Sequence, residues 1–225
     1  ENFNFGWWLL ALFFYSIILF IGSVRMRWNF YLTSQNKIIS NIENKKYVVL
    51  SFDDGPCQNT IKILDILHEA SVPAVFFLIG NNIKSNEAIV KRIISEGHQV
   101  GNHSYFHRAN FDLQSVKKMT EELLACNDPI EKVTLQKTVF FRPPYGVTNP
   151  NLAKAVKNTG LKSIGWNVRS FDTMAKNEDR LIASILSKIK HESIILLHDR
   201  CDITVRILPT LIQKLKQRDY HFVTL

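Results

Sequence analysis

The chain of 225 residues has only three cysteines, Cys57, Cys126 and Cys201. They cannot all pair and their spacing fits no zinc motif, so free thiols are the default reading. No glycine-rich loop follows the first apolar strand-like run, which argues against a phosphate-cradling nucleotide fold. No basic stripe interleaved with aromatics is present, so nucleic acid is not an expected partner. Internal repeats and low-complexity tracts are lacking, which excludes a solenoid or an array. The net charge of +8 is spread over many lysines rather than gathered in one block. It suits an anionic membrane surface or an acidic polymer, and an ordinary solvated surface equally well.

Charge is missing altogether from Trp7 to Val24, eighteen residues reading WWLLALFFYSIILFIGSV. That length crosses a bilayer, with Trp7 and Trp8 at one interface and Trp28 and Tyr31 at the other. A cleaved signal peptide would show a basic n-region, a shorter core and a small-x-small exit, none of which is clear. A buried core helix would have caps and a polar face. The expectation is an uncleaved single-pass anchor over 1–28 (spanning about 7–24), a connector over 29–45 and one catalytic domain over 46–225. Arg25 and Arg27 follow the span, and the positive-inside rule taken literally would hold that domain in the cytoplasm. The chain begins with Glu rather than Met, so residues are expected upstream and this charge argument carries little weight. The domain is expected outside the cytoplasm, at the cell surface or in a periplasm.

Beyond the connector the chain alternates. Runs rich in Val, Ile and Phe appear at 47–52, 74–80, 99–103, 138–142, 161–167, 193–198 and 221–225. Segments with helical spacing separate them: IKILDILHEA after Thr60, EAIVKRIISEG closing on Gly97, NLAKAVKNTG opened by Asn149-Pro150, LIASILSKIK and TVRILPTLIQKLKQ. Strand and helix repeated about seven times predict an α/β fold with a parallel sheet, and the length favours closure into a barrel. An open doubly wound sheet is the rival.

The reactive side chains fall in a pattern. Asp53 and Asp54 (in SFDDGP) follow the first strand, and His103 and His107 (HSYFH) follow the third. Arg142 ends the fourth, Asp172 follows the fifth and His198 closes the sixth. In a barrel of parallel strands these positions share the C-terminal face, where such folds assemble their sites. Histidines four apart lie on one side of a helical turn and can reach one ion. With a carboxylate they form a His-His-Asp set, which zinc accepts in hydrolysis and ferrous iron in oxygenation. Of the adjacent aspartates, one can ligate the ion while the other accepts a proton from water. Arg142 has the fork to hold a carboxylate. His198 beside Asp172 suits a general acid. Asp199, His98, Trp166 and Asn102 read as structural from the residues alone.

SFDDGP, HSYFH, RPPYG, WNVRSFD and LLH resemble, in order and spacing, the five motifs of the polysaccharide deacetylases, the NodB-homology domains of carbohydrate esterase family 4. The resemblance covers about residues 46–225. It implies a distorted (β/α)7 barrel with a groove for a sugar chain and a divalent metal, zinc in the first place. The implied reaction removes N-acetyl groups from N-acetylglucosamine-type residues of a cell-envelope glycan such as peptidoglycan. It also implies Asp53 as base and Asp54, His103 and His107 as metal ligands. Arg142 would be the tether of the base, the Tyr145 N–H an oxyanion donor, His198 the acid with Asp172 behind it, and Trp166 and Leu196 walls for the acetyl methyl. Two positions depart from the family: Ser51 stands where threonine is usual, and Thr173 where many members have tryptophan, which leaves substrate identity open. Cys57 and Cys201 fall on loops of the active face, where a disulfide is conceivable if the domain is extracytoplasmic. The competing functions are a catalytically silent, membrane-anchored glycan-binding domain and a ferrous oxygenase using the same ligand set.

Overall fold

In a computed structural model, residues 5–38 and 45–225 are described. The elements run α1 (Phe5–Val24), β1 (Ser34–Gln35), β2 (Lys46–Gly55), α2 (Gln58–Ala70), β3 (Val75–Leu78), α3 (Gly80–Ile83), α4 (Glu87–Ser95) and β4 (Gln99–Asn102). They continue α5 (Val116–Thr134), β5 (Phe140–Phe141), α6 (Pro150–Thr159), β6 (Lys162–Ile164), β7 (Val168–Arg169), α7 (Glu178–Lys188), β8 (Ser193–His198), α8 (Asp202–Lys216) and β9 (Tyr220–Phe222).

The strands form one sheet in the order β1-β6-β5-β4-β3-β2-β8-β7, with β9 against the start of β2, and every ladder is parallel. β6 and β7 lie near opposite ends of this path, yet only Gly165, Trp166 and Asn167 separate them in the chain. A sheet can satisfy both conditions only by curling round until its ends approach, so the α/β barrel is distorted and nearly closed. Across the gap Lys37, just after β1, makes an isolated antiparallel bridge with Ser193 of β8.

Strand alternation sets what faces the barrel interior. Along β2, Val48, Leu50 and Phe52 pack outward with Ile63, Leu64 and Leu67 of α2 and Leu208 and Leu211 of α8. The alternate residues point inward: Tyr47 and Val49 join Val75, Phe77, Ile164 and Ile194 in an inner cluster. The same alternation delivers Ser51 and then Asp53 to the interior, at the C-terminal end of the strand. Helix ends follow their local chemistry: Asn149 accepts the Leu152 N–H at 2.8 Å with Pro150 at the first helical position, and Gly97 takes φ +81° just after α4.

Four departures from the sequence reading have clear causes. The run 161–167 is not one strand, because the chain crosses the gap of the curled sheet between β6 and β7. Residues 29–45, expected as a connector, pack on the barrel where they are described: Leu32 and Ser34 are buried, and β1 pairs with β6. Residues 39–44 lie outside the described part. Helix α5 was not anticipated; its apolar stripe of Met119, Leu123, Cys126 and Ile130 is interrupted by Asn127 and Pro129. Lastly, HSYFH is a loop rather than a helical turn, with Ser104 and His107 at positive φ.

Helix α1 is long and apolar enough to cross a membrane, and only 6% of its most apolar window is buried against the rest of the chain. Against the described residues it is therefore not a core helix. Its end is attached to the barrel: the Thr148 N–H donates to the Ser23 carbonyl at 2.9 Å, and the Ser23 hydroxyl to the Thr148 carbonyl at 2.6 Å.

Candidate active site

Asp53, Asp54, His103, His107, Tyr145, Trp166, Leu196 and His198 line one cleft of about 100 Å3 at the C-terminal ends of the strands. Arg142 and Asp172 lie buried behind it. Neighbouring strands bring the components together. Asp53 on β2 pairs in register with Phe77 on β3 and with His198 on β8.

Arg142 is fully buried, and each nitrogen of its fork donates a hydrogen bond. Nη1 donates to Asp53 Oδ1 and to Ser51 Oγ, both at 2.8 Å, Nε to the Ile164 carbonyl at 3.2 Å and Nη2 to the Gly165 carbonyl at 2.9 Å. The guanidinium lies 4.0 Å over the Phe77 ring. Burial pulls its pKa down, but the Asp53 charge opposes this. Asp53 is therefore tethered on one oxygen, while Oδ2 faces the cleft 3.8 Å from His103 Nε2.

His103 Nδ1 lies 2.8 Å from the Arg142 carbonyl, which accepts only from a protonated nitrogen, so Nε2 is left facing the cleft. His103 Nε2 and His107 Nε2 each stand 3.5 Å from Asp54 Oδ1. The three potential ligand atoms of Asp54, His103 and His107 all fall within 4.8 Å of one another. That donor set, with one histidine already oriented from behind, fits a divalent cation. The loop is built by its neighbours. Asn102 Oδ1 accepts the Ser104 N–H at 2.8 Å, Ser104 Oγ accepts the His107 N–H at 3.0 Å, and Glu122 of α5 accepts the Phe106 N–H at 3.1 Å. Asn102 Nδ2 in turn donates to the Leu123 carbonyl and to Asn127 Oδ1 of α5.

The electrostatics of these groups differ. Burial raises the Asp54 pKa, but the hydrogen bond and charges of the histidines outweigh it and hold the carboxyl far below its usual range. Burial and the neighbouring His103 push His107 down to about 4, which keeps its imidazole neutral. Burial also opposes charge on His103, but Asp53 and Asp54 win and raise its pKa. For His198 burial is again outweighed, here by Asp172, and the pKa rises.

Asp172 supports His198 with both oxygens. Oδ1 lies 2.7 Å from His198 Nδ1, while Oδ2 accepts the His198 backbone N–H and the Thr204 hydroxyl, each at 2.7 Å. In RPPYG, Tyr145 takes φ 59° and its N–H meets no acceptor among the described residues. Gly146 (φ +71°) lies under the Trp166 indole, and a Cβ there would run into that ring. Among the described residues, three of the ten non-glycine residues at positive φ, Asp54, His107 and Tyr145, line this cleft, and a fourth, Ser104, lies in the loop that carries the two histidines. Such backbone persists where surrounding structure over-determines it, and it clusters at functional sites.

Sequence reading missed Arg200, whose Nε donates to Asp54 Oδ2 at 2.5 Å from the rim of the cleft. An exposed arginine in a loop has no sequence signal of its own. Asp199, read as structural, is buried: Thr60 donates to its Oδ2 at 2.6 Å, and burial pushes its pKa up to about 7. His98 and Asn102 are likewise buried and bonded to backbone. Cys57, Cys126 and Cys201 are all free, so Cys57 and Cys201 form no disulfide.

A curled parallel barrel with two aspartates, two histidines and an acid-supported histidine at its strand ends is the architecture of a carbohydrate-esterase-type domain. The family model for polysaccharide deacetylases matches residues 40–164, and the chain belongs to that family. It is 34% identical over 202 residues to the peptidoglycan-N-acetylglucosamine deacetylase PgdA of Listeria monocytogenes, covering 87% of this chain but 42% of that protein. The chain thus spans about two fifths of that relative's length. Among solved structures, the peptidoglycan deacetylase PdaC of Bacillus subtilis superposes with a TM-score of 0.75 at 30% identity, covering 81% of this chain and 89% of that one. BA3943 of Bacillus anthracis, a family 4 pseudoenzyme, superposes with a TM-score of 0.73 at 33% identity, covering 80% of this chain and 64% of that one.

Proposed function

We propose that the chain is a metal-dependent hydrolase that removes N-acetyl groups from N-acetylglucosamine-type residues of a cell-envelope glycan. One observation carries the reading: the Arg142-tethered Asp53 and the Asp172-supported His198 flank a single Asp54-His103-His107 cluster in one cleft. Asp54, His103 and His107 would hold a divalent cation, zinc in the first place given two imidazoles and one carboxylate. Bound there, such a cation polarises a carbonyl and lowers the pKa of water.

The residues of the chain supply the rest. Asp53, tethered through Oδ1 by Arg142, accepts the proton of the attacking water through Oδ2. The Tyr145 N–H points a dipole at the oxygen that gains charge as the acetamide carbon becomes tetrahedral. His198, kept protonated by Asp172, gives its proton to the departing sugar nitrogen, so the C–N bond breaks to leave acetate and a free amine. Trp166 and Leu196 close around the acetyl methyl. Helix α1 would anchor this domain to a membrane in a single pass, with the catalytic part on the extracytoplasmic side where such glycans lie.

The test is acetate release from N-acetylglucosamine oligomers by the full chain, before and after chelation. Loss on chelation and recovery with zinc support the reading, and acetate release indifferent to chelation would sink it. The likeness to a pseudoenzyme favours one rival, a silent glycan-binding domain. That rival predicts glycan binding with no acetate under any metal, although this chain keeps both Asp53 and His198. A ferrous oxygenase would leave Arg142, Asp172 and His198 without a task.

A further inference from the structure

Between the end of α1 and the catalytic cleft lies a second depression, of about 660 Å3. Four cations line it, Arg25, Arg27, Arg169 and Lys188, together with the rings of Trp28 and Trp166. No carboxylate lines it, and none of the four cations has an ion-pair partner among the described residues. Elsewhere Arg200 pairs with Asp54 and Arg206 with Glu178. Four like charges without a direct ion pair around one hollow repel one another, and an anion placed there offsets the repulsion.

The cations are also positioned. The Arg169 guanidinium lies 5.0 Å from the centre of the Phe171 ring and 5.8 Å from that of Trp166, and the Lys188 ammonium lies 5.4 Å from the Phe171 ring. Aromatic faces flank both side chains; Lys188 gives one N–H to the Ser184 hydroxyl at 2.9 Å and keeps two, and the Arg169 guanidinium keeps its N–H groups for other acceptors. Trp166 and Arg169 also line the catalytic cleft, so the two depressions adjoin. At the other end, Arg25 and Arg27 follow the last residues of the apolar helix, whose Ser23 is bonded to Thr148, two residues beyond Gly146. Reading outward from the Asp-His cluster, the order is reacting centre, indole and guanidinium, four cations, apolar helix.

We propose that this depression binds the phosphate of an amino-sugar substrate linked through phosphate to a membrane lipid. The acyl or isoprenoid chain lies along α1, the phosphate among the four cations, and the acetylated sugar beyond Trp166 in the cleft. This rests on the N-deacetylase reading and adds to it the substrate class, a lipid-linked saccharide rather than a finished polymer. Arginine forks match phosphate oxygens in pairs, which favours a phosphate ester over a lone carboxylate.

The full chain in neutral phosphatidylcholine nanodiscs would be offered two substrates: N-acetylglucosamine joined through phosphate to a polyprenyl chain, and the same sugar on a neutral alkyl chain. The expected result is a kcat/KM at least about tenfold higher for the phosphate-bearing substrate, carried mainly by KM. The Arg27→Gln/Lys188→Gln variant should lose that preference. Equal rates on the two substrates would overturn the phosphate site and leave the deacetylase standing, and acetate from neither would overturn both. A preference that survives in the variant also overturns the site. The alternative source of the same phosphate chemistry, a bilayer headgroup, is separated by repeating the neutral substrate in phosphatidylglycerol discs. If the variant changes only that rate, the depression serves the bilayer and the proposal fails. One readout needs no turnover: tryptophan fluorescence should shift on titration with the phosphate-linked lipid and not with its neutral counterpart. No shift with either would overturn the site.

Discussion

Arg142 Nη1 and Asp53 Oδ1 meet at 2.8 Å inside the barrel, where neither side chain has appreciable contact with solvent. A buried pair of this kind is costly to break, because the surviving partner keeps its charge without its counterpart. Arg142→Met should destabilise the fold by about 3–5 kcal/mol, read from urea unfolding. Asp53→Asn, which keeps size and most hydrogen bonds, should retain the fold and lose at least about a hundredfold in acetate release. Parent-level turnover by Asp53→Asn would remove Asp53 from the chemistry.

His198 has a raised pKa because Asp172 bonds its Nδ1, and the proposed step uses the protonated ring. Activity should therefore fall as pH rises through the His198 pKa. Asp172→Asn withdraws the stabilising charge, so the alkaline limb of the kcat profile should move to lower pH, with a drop in maximal rate of about a hundredfold or more. An unmoved limb would show that some other group sets it.

Metal retention should itself depend on pH. Ligand imidazoles must be neutral to bind, and the raised pKa of His103 means that protons compete there first as pH falls, whereas His107, pushed down to about 4, holds out longer. Zinc content measured after dialysis should fall as pH drops through the His103 pKa. His107→Ala should lower affinity at every pH.

Asn102 touches no proposed ligand by its side chain, yet it spans three elements: it accepts the Ser104 N–H and donates to Leu123 and Asn127 of α5. Asn102→Ala leaves buried groups unpartnered and should cost about 1–3 kcal/mol of stability. Because the same bonds shape the loop between His103 and His107, zinc affinity should fall too. Stability lost with zinc affinity unchanged would mean that the loop is set from elsewhere.

Much of the fold was legible because alternating strand and helix periods survive in the sequence, and a parallel barrel follows from their order. What escaped was decided by tertiary closure. Gly165 to Asn167 reads as the continuation of the strand-like run from Leu161, and only the curling of the sheet makes it a crossing between edges. Helix α5 hides behind Asn127 and Pro129, though its stripe faces the core. The residues of the cleft were legible as outliers, polar groups at the ends of apolar strands. The loop joining His103 to His107 was not, since a spacing of four fits a helix and a bonded loop alike. Arg200 was invisible for the opposite reason, an ordinary arginine made special only by the carboxylate it reaches.

The paired hydrogen bonds between Ser23 and Thr148 have a mechanical consequence. A domain on a slack leash would sweep a wide arc and sample glycan at many heights. With α1 in a membrane, as proposed, a barrel clasped at the root of its own helix would ride at one altitude with its mouth turned a single way. Whatever it acts on must come to that level.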